Sequence, residues 1–271
     1  MTRVALVQIS SPDEESQVDR ITRVERLLRD HAGADLYVLP EIWSAGYFSF
    51  DDYQNRAETL GGPTISMCRR VARDLGAAIH VGSIVERDDS GRLRNTTVLI
   101  DSEGRIAQVY RKIHVFGYQS LEAELLTPGD TLSVVESPVG RLGSITCYDL
   151  RFPGLWQEMS VRGIEAVAIP AAWPAARREH WRLLTTARAV EHQVFIIAVN
   201  SCGLQHGVEL GGHSRVVDPT GRVLAECGAD EEVLVVDLDP ARVAEVRAEF
   251  PVISDRLTDY ASISDESGAE Q

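Results

Sequence analysis

Three short stretches of this chain end an apolar run on a residue able to do chemistry. Leu36-Tyr37-Val38-Leu39-Pro40 leads to Glu41, Gln108-Val109-Tyr110-Arg111 to Lys112, and Gly143-Ser144-Ile145-Thr146 to Cys147. Read as strands, all three deliver a reactive group at a sheet end, the rigid platform beyond which ligands of α/β proteins sit. One such residue commonly marks only where a strand meets water. A carboxylate, an ammonium and a thiol presented together specify a reaction. A thiol with an ordinary pKa of about 8.5 is mostly neutral near pH 7 and needs a base to attack. A carboxylate can take that proton, and an ammonium can stabilise first the thiolate and then the oxyanion. The carboxylic acid so formed can protonate a departing amine, then activate the water that cleaves the thioester. These steps hydrolyse a carbonyl carbon bearing nitrogen.

The remaining sequence must position these groups. A strand over 4–9 precedes a helix over 17–31, where Val18, Ile21, Val24, Leu27 and Leu28 recur at helical spacing and Gly33 closes the turn. A second helix over 64–75 ends at Gly76. Strands are expected over 78–86, 96–101 and 106–113, broken by turn signals at 88–91 and 102–104. Further strands over 131–137 and 143–146 precede a helix over 154–162, a strand over 166–169, a helix over 179–192 and a strand over 194–199. Asp218-Pro219-Thr220-Gly221 reads as a hairpin turn between strands over 214–217 and 222–226. A strand over 233–237 and a helix over 240–248 complete the pattern. The order predicts one α/β domain over 1–260 with mixed sheets covered by helices. The tail over 261–271 is expected to be disordered or to lie at an oligomer interface.

Composition narrows the partners. The 271 residues carry 27 Lys plus Arg against 41 Asp plus Glu, a net charge of -14. Phosphate backbones repel such a chain, and no basic stripe reverses the sign, so no nucleic-acid partner is expected. No apolar run approaches the roughly 20 residues of a membrane span. A cytoplasmic protein with no membrane partner is expected. Cys68, Cys202 and Cys227 form no Cys-x-x-Cys pair and are expected as small buried hydrophobes. His180 and His192 stand too far apart to share an ion, and no metal site is expected. His114 and His213 are expected to hold loops by hydrogen bonds. No Gly-x-Ser-x-Gly elbow and no nucleotide loop occurs.

At this point the motifs resemble those of the nitrilase superfamily, the carbon–nitrogen hydrolases. The matching stretches are Leu39-Pro40-Glu41 with Gly46-Tyr47, Asn95-Thr96, Tyr110 to His114, Thr127-Pro128-Gly129-Asp130, Cys147 to Pro153 and Gly212 to Gly221. The resemblance spans about Val4 to Tyr260 and implies a four-layer α-β-β-α sandwich with mixed sheets. It further implies pairing into a homodimer or higher homo-oligomer, with no cofactor. It assigns Cys147 as nucleophile, Glu41 as general base and acid, and Lys112 as the oxyanion-stabilising amine. Glu122 falls where the family places a second glutamate, and the Tyr148 N–H would complete the oxyanion hole.

The stretch after Cys147 and the segment 170–177 resemble amidase branches, the omega-amidases and the enzymes of deaminated glutathione, more than true nitrilases. A small linear amide with a distal carboxylate is the expected substrate. Arg151 and Arg177 are candidate carboxylate ligands, although Arg151 would serve equally in a structural ion pair. Trp173 is a candidate pocket wall, core residue or dimer contact. The alternatives are an N-carbamoyl amino acid or beta-ureido acid amidohydrolase, and a catalytically silent binding protein. Gly117 and Gly154 depart from the family's usual Asp and Glu. An anionic substrate would need a local cationic pocket in this acidic chain, expected at Lys112 with Arg151.

Overall fold

The structure is a computed structural model and describes residues 1–257; the expected tail, and 258–260 before it, lie outside the described residues. In chain order the first half forms β1 (Thr2–Gln8), α1 (Gln17–Asp30), β2 (Leu36–Val38), α2 (Tyr53–Arg56), α3 (Pro63–Leu75), β3 (Ala78–Arg87), β4 (Leu93–Ile100), β5 (Ile106–Arg111) and α4 (Glu122–Leu125). The second half begins with β6 (Val134–Ser137), β7 (Gly140–Ser144), α5 (Pro153–Val161), β8 (Ala166–Ala171), α6 (Arg178–His192) and β9 (Phe195–Asn200). It continues with β10 (Cys202–Gln205), β11 (Val208–Gly211), β12 (Arg215–Val217), β13 (Val223–Glu226), β14 (Glu232–Leu238) and α7 (Arg242–Glu249).

Two six-stranded sheets result, ordered β14-β1-β2-β3-β4-β5 and β13-β12-β9-β8-β7-β6. Both follow one plan. The βα units place β1, β2 and β3 parallel in one sheet and β7, β8 and β9 parallel in the other, and the flanking pairs are antiparallel. Side chains alternate between two cores, as strand geometry requires. Val4 and Leu6 of β1 meet Phe195, Ile197 and Val199 of β9 in a core between the sheets. Ala5 and Val7 face the other way, beneath α1 and α3. Ile196 and Ala198 of β9 likewise pack under α5 and α6. Burial on both faces explains why β8 and β9 read as continuous apolar runs. The product is the expected four-layer α-β-β-α sandwich. No helix among the described residues is long and apolar enough to cross a membrane.

One polar chain crosses between the sheets. His80 Nε2 lies 3.2 Å from Ser144 Oγ, which donates to Gln108 Oε1 at 2.6 Å. Burial pushes the His80 imidazole down to about 3.

The element boundaries shift from those expected. Helix α1 stops at Asp30, and Gly33 sits in the following turn at φ 108°. Strand β5 ends at Arg111 rather than 113, which leaves Lys112 just past the strand. The hairpin β10–β11 was not expected. Its two-residue turn puts His206 and Gly207 both at positive φ, the mirror-image turn that matches strand twist. Two expected roles are met: His114 bonds Asp149, and His213 bonds Glu226.

Candidate active site

Each reactive residue is braced where its strand ends. Beyond β2 the backbone of Leu39 to Ile42 lies against β3: the Leu39 N–H donates to His80 O, and the Ser83 N–H to Pro40 O. Gly82 sits opposite at positive φ, and a Cβ there would run into the Pro40 carbonyl. Lys112 is pinned on both sides of its peptide. Its N–H donates to Asn95 O at 2.9 Å, and its carbonyl accepts from the Gly129 N–H at 2.8 Å. A Cβ on Gly129 would strike the Arg111 carbonyl, which accounts for the glycine of Thr127-Pro128-Gly129-Asp130. Cys147 opens a short 3-10 turn beyond β7, Cys147–Arg151, capped by Thr146 and Asp149. It holds φ 46°, a conformation non-glycine residues adopt rarely and mostly where surroundings enforce it.

The side chains converge in a buried ionic cluster. Lys112 Nζ donates to Glu41 Oε1 at 2.8 Å and to Glu122 Oε1 and Oε2 at 2.8 and 2.9 Å. All three side chains are fully buried. Asn95 forms a second bridge, its Nδ2 donating to Glu41 Oε1 at 2.8 Å and Glu122 Oε1 at 2.9 Å. That commitment leaves Asn95 Oδ1 buried without a partner among the described residues, a cost that marks the amide as serving the two carboxylates. The Tyr47 hydroxyl and the Phe116 N–H donate to Glu122 Oε2, each at 2.9 Å. The Ala172 N–H donates to Glu41 Oε2 at 2.9 Å.

Burial and charge set the protonation states. Burial lifts the Glu41 carboxyl above its ordinary range; Lys112 opposes and the charge of Glu122 reinforces. Burial alone would depress the Lys112 amine, but Glu122 and Glu41 outweigh it and keep it firmly an ammonium. Burial, then the charge of Glu41, pushes the Cys147 thiol well up. At rest Cys147 is therefore a neutral thiol beside a carboxylate of raised basicity, a pairing able to transfer the thiol proton.

Cys147 lines a cavity of about 280 Å³ together with Tyr47, Phe116, Tyr148, Trp173, Arg151 and Arg177. All the expected substrate-binding residues thus face one space. Arg151 stacks on Trp173, its guanidinium carbon 4.5 Å from the ring centre, and its Nη2 lies 3.3 Å from His180 Nδ1. Arg177 stands over the Phe116 ring at 5.8 Å. Neither guanidinium meets a carboxylate among the described residues, so the ion pair considered for Arg151 is not formed. Trp173 serves as both wall and packing residue, its ring tilted against Trp181 at 5.7 Å. The Tyr148 N–H, in the first turn of the 3-10 segment, has no protein acceptor among the described residues. The expected cationic pocket is corrected in one respect. Lys112 is neutralised by two carboxylates, and the unmet positive charge belongs to Arg151 and Arg177.

Sequence reasoning assigned no role to Asn95, Tyr47 or the Ala172 N–H. The first two lie in the stretches Asn95-Thr96 and Gly46-Tyr47, where their residue types were the available signal. Another signal went unused: Lys112 is the only lysine among 27 basic residues.

The comparisons agree with this geometry. The family model for carbon–nitrogen hydrolases matches residues 3–248. A 2-oxoglutaramate amidase of Paenarthrobacter nicotinovorans is 40% identical over 263 residues, covering 94% of this chain and 90% of that protein. A carbon–nitrogen hydrolase superfamily protein of Xanthomonas campestris, with an arsenic adduct in its active site, superposes with a TM-score of 0.87. It is 31% identical, covering 97% of this chain and 99% of that one. An amidase from Nesterenkonia sp. AN1, carrying acrylamide added at its active-site cysteine, gives a TM-score of 0.79 at 26% identity, covering 93% of this chain and 99% of that one. With the buried Glu–Lys–Glu cluster beside a strained cysteine, these matches place the chain in the carbon–nitrogen hydrolase family, as an enzyme that hydrolyses carbon–nitrogen bonds.

Proposed function

We propose that the protein is an omega-amidase-like enzyme that releases ammonia from a small linear amide bearing a carboxylate at its far end. The observation that carries this reading is the cavity itself. One wall holds Cys147, whose thiol hydrogen-bonds Glu41 and feels the charge of Lys112 behind it, and two guanidiniums without carboxylate partners among the described residues line the same space. An anion in a chain of net charge -14 needs such a local reversal of sign. The 2-oxoglutaramate amidase relative is named for a substrate of this kind.

The reaction runs through a thioester. Glu41 takes the thiol proton as Cys147 Sγ attacks the amide carbon, and the carbonyl pair moves onto oxygen. The Lys112 ammonium and the Tyr148 N–H stabilise that oxyanion. Glu41 returns the proton to the departing nitrogen, ammonia leaves, and an acyl-cysteine remains. Glu41 then deprotonates a water as it attacks the thioester; the carboxylic acid leaves and the thiol is restored. Glu122 and Asn95 hold Lys112 and Glu41 in place throughout. Arg151 and Arg177 bind the distal carboxylate, and Trp173 forms the wall.

An ammonia-release screen tests this reading over 2-oxoglutaramate, 2-oxosuccinamate, deaminated glutathione, carbamoyl amino acids, simple aliphatic amides and nitriles. Turnover is expected to be fastest with carboxylated amides. Turnover confined to carbamoyl compounds would make the protein a carbamoyl or beta-ureido acid amidohydrolase instead, and none at all would leave a silent binding protein. Homodimer formation belongs to the same proposal and is read by sedimentation velocity.

A further inference from the structure

Asp149 is fully buried two residues past Cys147, and the steps above make no use of it. Its carboxylate gathers donors from two segments of chain. Oδ2 accepts from the Tyr110 hydroxyl at 2.6 Å and from the Thr146 N–H at 3.1 Å. Oδ1 accepts from the His114 N–H at 2.9 Å and faces His114 Nδ1 at 2.8 Å. Tyr110 and His114 lie two residues on either side of Lys112, and Thr146 directly precedes Cys147. One carboxylate therefore straps the turn carrying the nucleophile to the chain carrying the ammonium. The His114 ring also stacks on Phe152 at 3.7 Å, gripping the far end of the same turn.

No arginine or lysine among the described residues pairs with Asp149. A buried carboxylate held this way is a poor source of net stability, because desolvation opposes its hydrogen bonds. What four convergent bonds do provide is fixed geometry. The turn they hold needs it, since Cys147 sits in the left-handed region.

Resting on the reading of Cys147 as nucleophile, we propose that Asp149 is a positioning residue of the reaction. It keeps the Cys147 thiol on Glu41 and the Tyr148 N–H in register with the Lys112 ammonium.

Asp149→Asn is nearly isosteric, but its amide nitrogen would face two donors and lose both bonds. Three quantities are measured: kcat and KM for ammonia release per titrated active site, the rate at which iodoacetamide alkylates Cys147, and the melting temperature. Peptide mass spectrometry locates the alkylation; Cys68, Cys202 and Cys227 are buried and line no part of the cavity that Cys147 faces, so they compete poorly. We expect kcat to fall about 100-fold, the scale of a small misplacement of reacting groups. KM should stay within about threefold, since ground-state binding is untouched. Alkylation should slow about 10-fold, because the displaced thiol loses its base. Tyr110→Phe deletes one donor and keeps the ring; it should show a smaller loss that adds nothing to Asp149→Asn. Wild-type kcat and alkylation rate in Asp149→Asn would overturn the proposal. A lowered melting temperature with unchanged kcat per site would too, since it marks a purely structural role. If Asp149→Asn does not fold, Tyr110→Phe decides alone by the same criteria. The alkylation rate requires no substrate, so a wrong substrate class would leave this effect intact while wild-type protein failed on amides.

Discussion

Lys112 and Arg151 are cations of one site, yet their surroundings are opposite. Lys112 is completely buried, with three carboxylate contacts at 2.8 to 2.9 Å. Arg151 lies against an aromatic face, and its one hydrogen-bonding neighbour among the described residues is the His180 imidazole. The first charge is satisfied before any substrate arrives, so its orientation costs nothing during the reaction. The second is stacked, partly desolvated and unmatched, which is how a site awaits an anion. Under the proposed function the difference separates two tasks, making and breaking bonds at one end of the cavity and selecting the molecule at the other.

The two environments predict different failures. Lys112→Met should do the most harm, because it leaves two buried carboxylates uncompensated. Stability should fall by about 3–5 kcal/mol, read by urea unfolding. Turnover should fall about 1000-fold or more, read by ammonia release. Glu41→Gln keeps the shape and removes the base; kcat should fall about 100-fold or more with cooperative unfolding retained. Arg151→Ala should behave differently, raising KM for a carboxylated amide about 10- to 100-fold and leaving kcat within about threefold. A neutral amide of the same length should be indifferent to it. An equal loss for both substrates would erase the distinction drawn between the two cations.

The last effect concerns pH and lies away from the site. The unfolded His80 imidazole titrates near 6.5 and the folded one at about 3. Between those values the unfolded chain binds the extra proton, so stability falls as pH drops from 6.5 toward 3. His80→Gln should flatten that part of the stability profile, measured as urea midpoints at several pH values. An unchanged slope would show that other groups govern acid stability.

Legibility in the sequence followed the local signals. Glu41, Lys112 and Cys147 could be read because each ends an apolar strand, and a mixed α/β domain followed from βα units interrupted by consecutive strands, whereas the four-layer order came only through the family resemblance. Lys112 carried a further mark. In a chain whose other Lys-plus-Arg positions are all arginine, the one lysine stands out, and it places a compact ammonium between two fully buried carboxylates. Glu122 was harder, since α4 is four residues long and has no periodicity to detect. The β10–β11 hairpin escaped because Gly203 and Gly211 break its alternation, and His206-Gly207 is not among the common turn pairs. The roles of Asn95 and Asp149 depend mainly on contacts 27 to 54 residues away, which local spacing does not record, although Asp149 also bonds the nearby Thr146 N–H.

The central claim is that an amide is cleaved through a thioester on Cys147. Its most direct test is rapid acid quenching during turnover of 2-oxoglutaramate, followed by peptide mass spectrometry. The account predicts the acyl mass on the peptide containing Cys147, absent in Cys147→Ala, which should keep the fold and release no ammonia. Ammonia release at the wild-type rate by Cys147→Ala, with no acyl mass on the wild-type peptide, would contradict it.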